Sequence, residues 1–440
     1  MTPWSRLPGL SAFTNVITSR EAARNAVKGI EDYAGVDEVI GALRREVRVI
    51  KRVASVAPFE AFGRVSAREV VASRDVPPFD TSHMDGFAVR WQDVAGQEGG
   101  ERRKFRIVGT SSLGARPPEA IGRIEAVRVS TGSKLPVGAD TVVPLEDARV
   151  TGSVLTVEGR VKPGQFVYRS GEDVKRGERI IRRGHVLRAQ DVARLISLGV
   201  MEVSVFERPR VAVIATGSEL TNSPRPKPWQ VVNSHGPMFV RLVERAGCLP
   251  VDMGIVPDSS DELERTLREA LRSCDAVLTT GGTSVGERDI TESAISSLSP
   301  SVLYHGVRMD RGRVTGVAVV KGKPIVFMPG PVQGAMNAYA LFALPVMRRL
   351  SGCAEEELTV TARLSEGWEA RRRFSNFTKV LYVSLEMRRD GLAARPVVGE
   401  TESMRVLTDS DGLVVVPESI TKIERGAEVK VTLLPGFSFP

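Results

Sequence analysis

The spacing of apolar positions changes several times along the chain, and each change marks a segment. Residues 1–34 form a polar lead-in with a helical stretch around Ser19–Val27. Val39, Ile40, Leu43, Val47 and Ile50 then recur at helical intervals and predict a helix over Asp37–Val53. From Val65 to about Glu207 the runs shorten. RIEAVRVS, DTVVPLED, SVLTVEG and ERIIRRGHVL are β-rich and punctuated by Gly and Pro, which predicts one or two small β-rich modules.

From Arg208 short apolar runs alternate with amphipathic stretches. RVAVIAT reads as a buried strand followed by the tight turn TGSEL. A helix is predicted over Met238–Ala246, stopped by Gly247. PVDMGIV is the next strand. Ser259 opens a helix, and Glu262 three residues on makes a capping box. Leu263, Leu267, Ala270 and Leu271 line one face of that helix. DAVLTT runs straight into the glycine loop GGTSVG. KPIVFMPG is a further strand ending in a turn, and Val332–Leu350 reads as one long apolar helix. Strands alternating with helices predict a parallel sheet covered on both faces. Beyond Ser351, VTARL, TKVLYVSLE, LAARPVV, GLVVVPES and AEVKVTLLP predict a small all-β barrel or sandwich. The fold class expected is therefore multidomain, α/β plus β.

Composition narrows the function classes. The 440 residues are 42% hydrophobic and 26% charged, enough to bury real cores. No stretch approaches twenty apolar residues, so no membrane span is expected. The first residues lack an apolar core with a cleavage site, which argues against secretion and for the cytoplasm. Cys248, Cys274 and Cys353 have neither paired nor metal-type spacing and read as thiols in a reducing compartment. The net charge of +8 is spread among interspersed Lys, Arg, Glu and Asp. The one dense run, Arg371–Arg373, lacks nearby periodic aromatics and reads as solvated surface rather than a nucleic-acid site. A positive field also suits a polyphosphate or oxyanion ligand.

In open parallel α/β sheets, ligands bind beyond the carboxyl ends of strands. Three such ends carry unusual loops: Thr216-Gly217-Ser218-Glu219, the loop Gly281–Gly286 with Asp289 after it, and Pro329-Gly330-Pro331. In the second, Gly281, Gly282 and Gly286 would let backbone N–H groups turn toward an anion, and Thr283 and Ser284 add hydroxyls. A carboxylate beside such a loop suits Mg²⁺ or a sugar hydroxyl, and Asp289 is placed for it. The loop is neither a Walker A nor a dinucleotide fingerprint. Asp85, Asp173, Glu219 and Asp258 recur in turns. One by one they read as turn or cap residues, but together they suit a Mg²⁺-polyphosphate site. No G-x-S-x-G is present, and the four histidines have no ligand spacing.

The ordered motifs DVPPFDTSHMDGFAVR, TGSKLPVGADTVVPLED, RSGED with Gly177, IATGSEL, TTGGTSVGERD and FMPG resemble the signatures of the molybdopterin molybdenumtransferase (MoeA-type) family, to which the C-terminal region of gephyrin belongs. The likeness runs from about residue 35 to the end. It implies a lead-in (1–34), a discontinuous mixed domain (35–76 and 164–207), an inserted β-rich module (77–163), a molybdopterin-binding α/β domain (208–350) and a C-terminal β-barrel (351–440). It also implies a homodimer whose partner subunit completes the site. The implied reaction inserts molybdate or tungstate into adenylylated molybdopterin and releases AMP with Mg²⁺ present. By the same resemblance Asp85 and Asp289 hold the Mg²⁺, and Thr131, Asp173, Glu219 and Asp258 line the site.

The chain departs from the family pattern at the oxyanion segment. Arg308-Met309-Asp310-Arg311-Gly312-Arg313 stands where the family has a basic residue and Pro-Gly-Lys-Pro. Arg313 is the candidate replacement for one lysine, whereas Asp310 puts a negative charge where a cation is expected. Arg and Lys are not equivalent at a compact anion site. The Pro329-Gly330-Pro331 loop is shortened and lacks the family's serine, and His235 replaces a common asparagine. Two alternatives follow: a paralog that binds the cofactor as carrier or scaffold without insertion, and an adenylyltransferase that makes the substrate. The long N-terminal half fits the second poorly.

Overall fold

The computed structural model describes residues 33–95, 103–115, 120–282, 290–355, 357–389 and 391–434. The chain divides into two compact units. One comprises residues 1–68, 183–188 and 202–440, and the other residues 69–182 and 189–201. The stretch at Ser19–Val27 lies outside the described residues.

The first unit is built on a six-stranded sheet. Its strands and helices, in chain order, are β1 (Arg210–Thr216), α1 (His235–Arg245), β2 (Leu249–Val256), α2 (Ser260–Ser273), β3 (Ala276–Thr280), α3 (Ile290–Ser296), β4 (Val302–His305), β5 (Gly316–Val320), β6 (Lys323–Met328) and α4 (Val332–Ala338). The order across the sheet is β2-β1-β3-β6-β5-β4. The first four strands are parallel, as the alternation predicts. β5 runs antiparallel to both its neighbours, β6 and β4, so the sheet is mixed through this one reversed strand. The reversal comes from a two-residue turn, Lys321–Gly322, with both residues at positive φ. Alternate residues of β1 feed opposite faces: Val211 and Val213 join a core with Phe239, Val243 and Tyr339, while Ala212 and Ile214 pack with Leu263, Leu267 and Ile295. Burial on both faces is why these strands read as unbroken apolar runs.

Helix ends differ from the sequence expectation in three places. The first helix spans Val36–Glu46 rather than reaching Val53, which instead begins a short strand, Val53–Val56. Val47 and Ile50 are buried in the same core, but from extended backbone, so their helical spacing is a coincidence of burial. The Arg349 guanidinium takes the carbonyls of Arg44 (2.9 Å) and Val47 (2.6 Å) and so satisfies the orphan acceptors at that helix end. α1 begins at His235, three residues before the predicted Met238, and stops before Gly247 at φ +78°. The long helix over 332–350 is interrupted by a π turn, Tyr339–Ala343. Pro345 follows this turn; it has no N–H to donate, so the ladder is rearranged around it. Half of the expected capping box of α2 is present: Ser259 Oγ accepts from the Glu262 N–H at 3.4 Å, but the Ser259 N–H goes to Pro257 O at 2.7 Å rather than to Glu262.

Strands Thr359–Leu364, Lys379–Arg388, Gly391–Pro396, Gly412–Val416 and Glu428–Leu433 close into a five-stranded barrel. Its interior is small and β-branched: Ala362, Val383, Ala394, Val416 and Val431 are buried together. Tyr382 ties it to the α/β layer, donating its buried hydroxyl to Asn337 Oδ1 at 2.9 Å. Asn337 Nδ2 in turn donates to the Arg311 carbonyl at 2.8 Å.

The second unit holds another six-stranded sheet, made from Thr141–Pro144, Gly86–Val89, Glu125–Val129, Lys104–Ser111, Val154–Val157 and Ala148–Thr151 in spatial order. Phe87, Phe105 and Leu155 fill one face, and Ala88, Val127 and Val142 the other. Among the described residues, no helix is long and apolar enough to cross a membrane.

Candidate functional site

The carboxyl edge of the α/β sheet brings the three sequence loops together. Thr216 Oγ1 donates to the Thr280 carbonyl at 3.1 Å. The Gly217 N–H goes to Val256 O and the Gly281 N–H to Met328 O, both at 3.0 Å. These two donors are therefore spent stitching adjacent strand ends. Of the three glycines expected to turn N–H groups toward an anion, Gly281 has its N–H bonded to Met328 O instead. Glycine at 281 serves close approach instead. Its φ is +89°, and a Cβ would lie 2.2 Å from Thr216 O. At Gly282 (φ +68°), a Cβ would lie 2.8 Å from the hydroxyls of both Thr216 and Thr291. Thr291 Oγ1 donates to the Gly282 carbonyl at 2.8 Å. Thr283, Ser284, Gly286 and Asp289 lie outside the described residues.

Asp258 and Ser218 bond reciprocally. The Ser218 N–H reaches Asp258 Oδ2 at 3.1 Å, and the Asp258 N–H reaches Ser218 Oγ at 2.9 Å. Asp258 thus fastens the first loop to the start of α2. Glu219 is exposed, and its carboxylate lies over Gly217, where a Cβ would sit 2.6 Å from Oε2. Pro329 is buried and Gly330 exposed at the end of β6.

The divergent segment is fixed against this edge by two glycines. A Cβ on Gly334 would meet Pro329 at 2.8 Å and the Gly312 backbone at 3.2 Å. Arg311 Nη1 donates to Gln333 Oε1, and Gln333 Nε2 to the Glu400 carbonyl. Burial, then the neighbouring Arg371 charge, holds the Arg311 pKa below its ordinary value. Asp310 does not stand alone: Arg371 of the barrel bonds its carboxylate at 2.5 Å. The guanidiniums of Arg313, Arg371 and Arg373 lie over Phe374, at 4.5, 5.1 and 5.6 Å from its centroid. The run Arg371–Arg373 is exposed, as expected, but Arg371 and Arg373 also have these specific partners. Of its partners, Phe374 follows directly in the sequence, whereas Asp310 lies 61 residues away and is hidden from local sequence.

In the second unit, three motif segments converge. Asp85 Oδ1 accepts from the Thr131 N–H (2.7 Å) and hydroxyl (3.0 Å). These bonds hold the exposed Asp85 carboxyl below the usual carboxylate range. Asp173 is exposed, and its N–H is bound to Val76 O at 3.0 Å. Asp80, which the sequence expectation did not single out, accepts from Arg169 Nη1 (3.0 Å) and the Ser170 N–H (2.8 Å). A signal for Asp80 was present in the sequence, since it lies in the same motif as Asp85. Among the described residues, no three His, Cys, Asp or Glu side chains form a cluster able to hold a metal.

Comparison with known proteins covers nearly all of these elements. Residues 34–199 match the MoeA N-terminal region (domain I and II), residues 212–349 a "Probable molybdopterin binding domain", and residues 361–434 the MoeA C-terminal region (domain IV). A molybdopterin molybdenumtransferase of Staphylococcus aureus (strain COL) is 32% identical over 330 residues, covering 74% of this chain and 78% of that protein. The chain belongs to the molybdopterin molybdenumtransferase family. A Staphylococcus epidermidis enzyme of the same name is 28% identical over 86% of this chain and 91% of its own length. The crystal structure of a molybdopterin biosynthesis moeA protein from Pyrococcus horikoshii OT3 superposes with a TM-score of 0.80 at 28% identity, covering 92% of this chain and all of that one. As a member of this family of transferases, the chain is an enzyme of molybdenum-cofactor biosynthesis.

Proposed function

We propose that this enzyme inserts molybdenum, delivered as molybdate, into adenylylated molybdopterin and releases AMP. The observation that carries the reading is the cation cluster of Arg311, Arg313 and Arg371 fixed beside the Pro329-Gly330 turn of the α/β sheet. An oxyanion needs fixed positive charge with directed donors, and guanidiniums supply both. The edge formed by Thr216, Gly217, Gly281, Gly282, Pro329 and Gly330 takes the pterin phosphate end, with Thr283, Ser284 and Gly286 completing the loop. Glu219 and Asp258 line the same edge. Asp85, Thr131 and Asp173 of the second unit are the further site residues that the family resemblance implies.

Mg²⁺ fits the donor chemistry of the one described candidate ligand. Asp85 is an exposed carboxylate held ionised through Oδ1. A hard cation prefers such oxygens. Asp85 and Asp289 are each candidate ligands by the family resemblance, and such an ion would neutralise phosphate charge during cleavage. Tungstate is the alternative oxyanion. A homodimer in the cytoplasm completes the reading.

The Asp310–Arg371 pair also favours a second reading, because an internal carboxylate occupies a cation the oxyanion would use. On that reading the chain binds the cofactor as carrier or scaffold. One assay separates the two. Purified protein, adenylylated molybdopterin and Mg²⁺ are combined, and AMP release is followed with molybdate, with tungstate, and with neither. Oxyanion-dependent release that Asp289→Ala abolishes supports insertion. Asp310→Asn should lower the half-saturating molybdate concentration by up to about fivefold, the range of an exposed ion pair. Tight substrate binding without AMP release under either oxyanion overturns insertion.

A further inference from the structure

The other edge of the α/β sheet, where strands begin, carries a second charged cleft. It has a volume of about 650 Å³ and is lined by Arg52, Arg64, Arg208, Arg210, Arg272 and Lys323, against the acids Glu207 and Asp275. Arg210 opens β1 and Thr216 ends it. At about 3.3 Å per residue, the cleft lies roughly 20 Å from the ligand edge.

Three of the six cations are committed. Arg52 reaches Glu207 at 2.8 Å and Asp275 at 2.7 Å. Arg210 Nε takes the Ser273 carbonyl at 2.9 Å, and Lys323 Nζ takes the Leu271 carbonyl at 2.5 Å. Those two groups answer the negative end of α2. Arg64, Arg208 and Arg272 form no direct ion pair with a carboxylate among the described residues, although Glu207 acts on Arg64 from a distance. Arg64 donates one Nη to Phe206 O at 3.1 Å, but its Nε is buried with no acceptor. Burial and the like charge of Arg208 lower its pKa, with Glu207 offsetting part of the shift. Like charges gathered around a buried unpaired donor cost stability, and an anion would relieve both problems.

The lining contains no aromatic ring, so nothing offers a stacking face for a base. Guanidiniums recognise phosphate oxygens through paired donors. We propose that this cleft is a second ligand site for a compact polyanion of the pyrophosphate class, bridging Arg208 and Arg272, with Arg64 as an inner donor. The proposal stands independently of the reaction assigned above.

The test is protection from phenylglyoxal, read peptide by peptide by mass spectrometry, with inorganic pyrophosphate as the probe on the full-length protein. Saturable protection of Arg208 and Arg272 is expected. Peptides carrying Arg313 and Arg371 report the other anion site separately. Arg272→Ser should raise the half-protecting concentration at Arg208 at least tenfold, and Arg208→Ser should do the same at Arg272. Thermal melting checks that both variants fold. Three results overturn the proposal: no protection at millimolar pyrophosphate, equal protection by sodium chloride at matched ionic strength, or both arginines unreactive without ligand.

Discussion

Replacing Gly281 with alanine tests whether close packing of strand ends, rather than donation to a ligand, is what that position requires. The backbone there has φ +89°, and the new methyl would start 2.2 Å from the Thr216 carbonyl oxygen. Two terms add. An L-residue at positive φ costs about 1–2 kcal/mol. Forcing a methyl into occupied space costs about 1–3 kcal/mol more. Gly322→Ala supplies the control, because its φ is +77° and a methyl there would meet nothing within 4 Å. The difference between the variants isolates the packing term. At about 2.1 cal/mol/K per residue, 1 kcal/mol moves the melting midpoint of a unit of about 300 residues by roughly 1.5 °C. Gly281→Ala should therefore melt roughly 1.5–4.5 °C below Gly322→Ala in scanning calorimetry. Equal midpoints would show that Thr216 O moves aside freely, and the close-approach argument would fail.

Two further perturbations follow from the hydrogen bonds. Tyr382→Phe leaves the buried Asn337 Oδ1 without its 2.9 Å donor and should destabilise the protein by about 1–3 kcal/mol in urea, while an unchanged midpoint would mean that Oδ1 finds another donor. Thr131→Val removes the hydroxyl but not the N–H from Asp85. The folded carboxyl pKa is depressed in the wild type, so its stabilisation is present above the ordinary value of 3.8 and is lost as pH falls through the lower folded value. Carbon-detected NMR titration should show the Asp85 midpoint moving up in the variant, and no movement would remove the hydroxyl from the account.

The strands of the α/β sheet were legible because burial on both faces leaves a local mark, as in RVAVIAT at Arg210–Thr216. The cap at Ser259 and the stop at Gly247 were legible for the same reason, since each rests on neighbouring residues. What escaped depends on distant partners. Val47 and Ile50 keep helical spacing although the helix ends at Glu46, because the core that buries them comes from residues far along the chain. The antiparallel pair β5–β6 turns on Lys321–Gly322, two residues without a strong hairpin signature. At the candidate site, the loops could be located, but the use of their donors could not. The Gly281 N–H belongs to Met328 O, and Asp310 belongs to Arg371, and neither pairing is written in local sequence.

The grip of Arg349 on the end of the first helix has a consequence during synthesis. Its guanidinium closes carbonyls 302 and 305 residues earlier in the chain. At roughly 5–20 residues per second on the ribosome, those acceptors wait about 15–60 s for their partner. The end of the nascent helix therefore stays uncapped until Arg349 is made. Truncation before Arg349 should leave it exposed, however well the intervening β-rich unit has already folded.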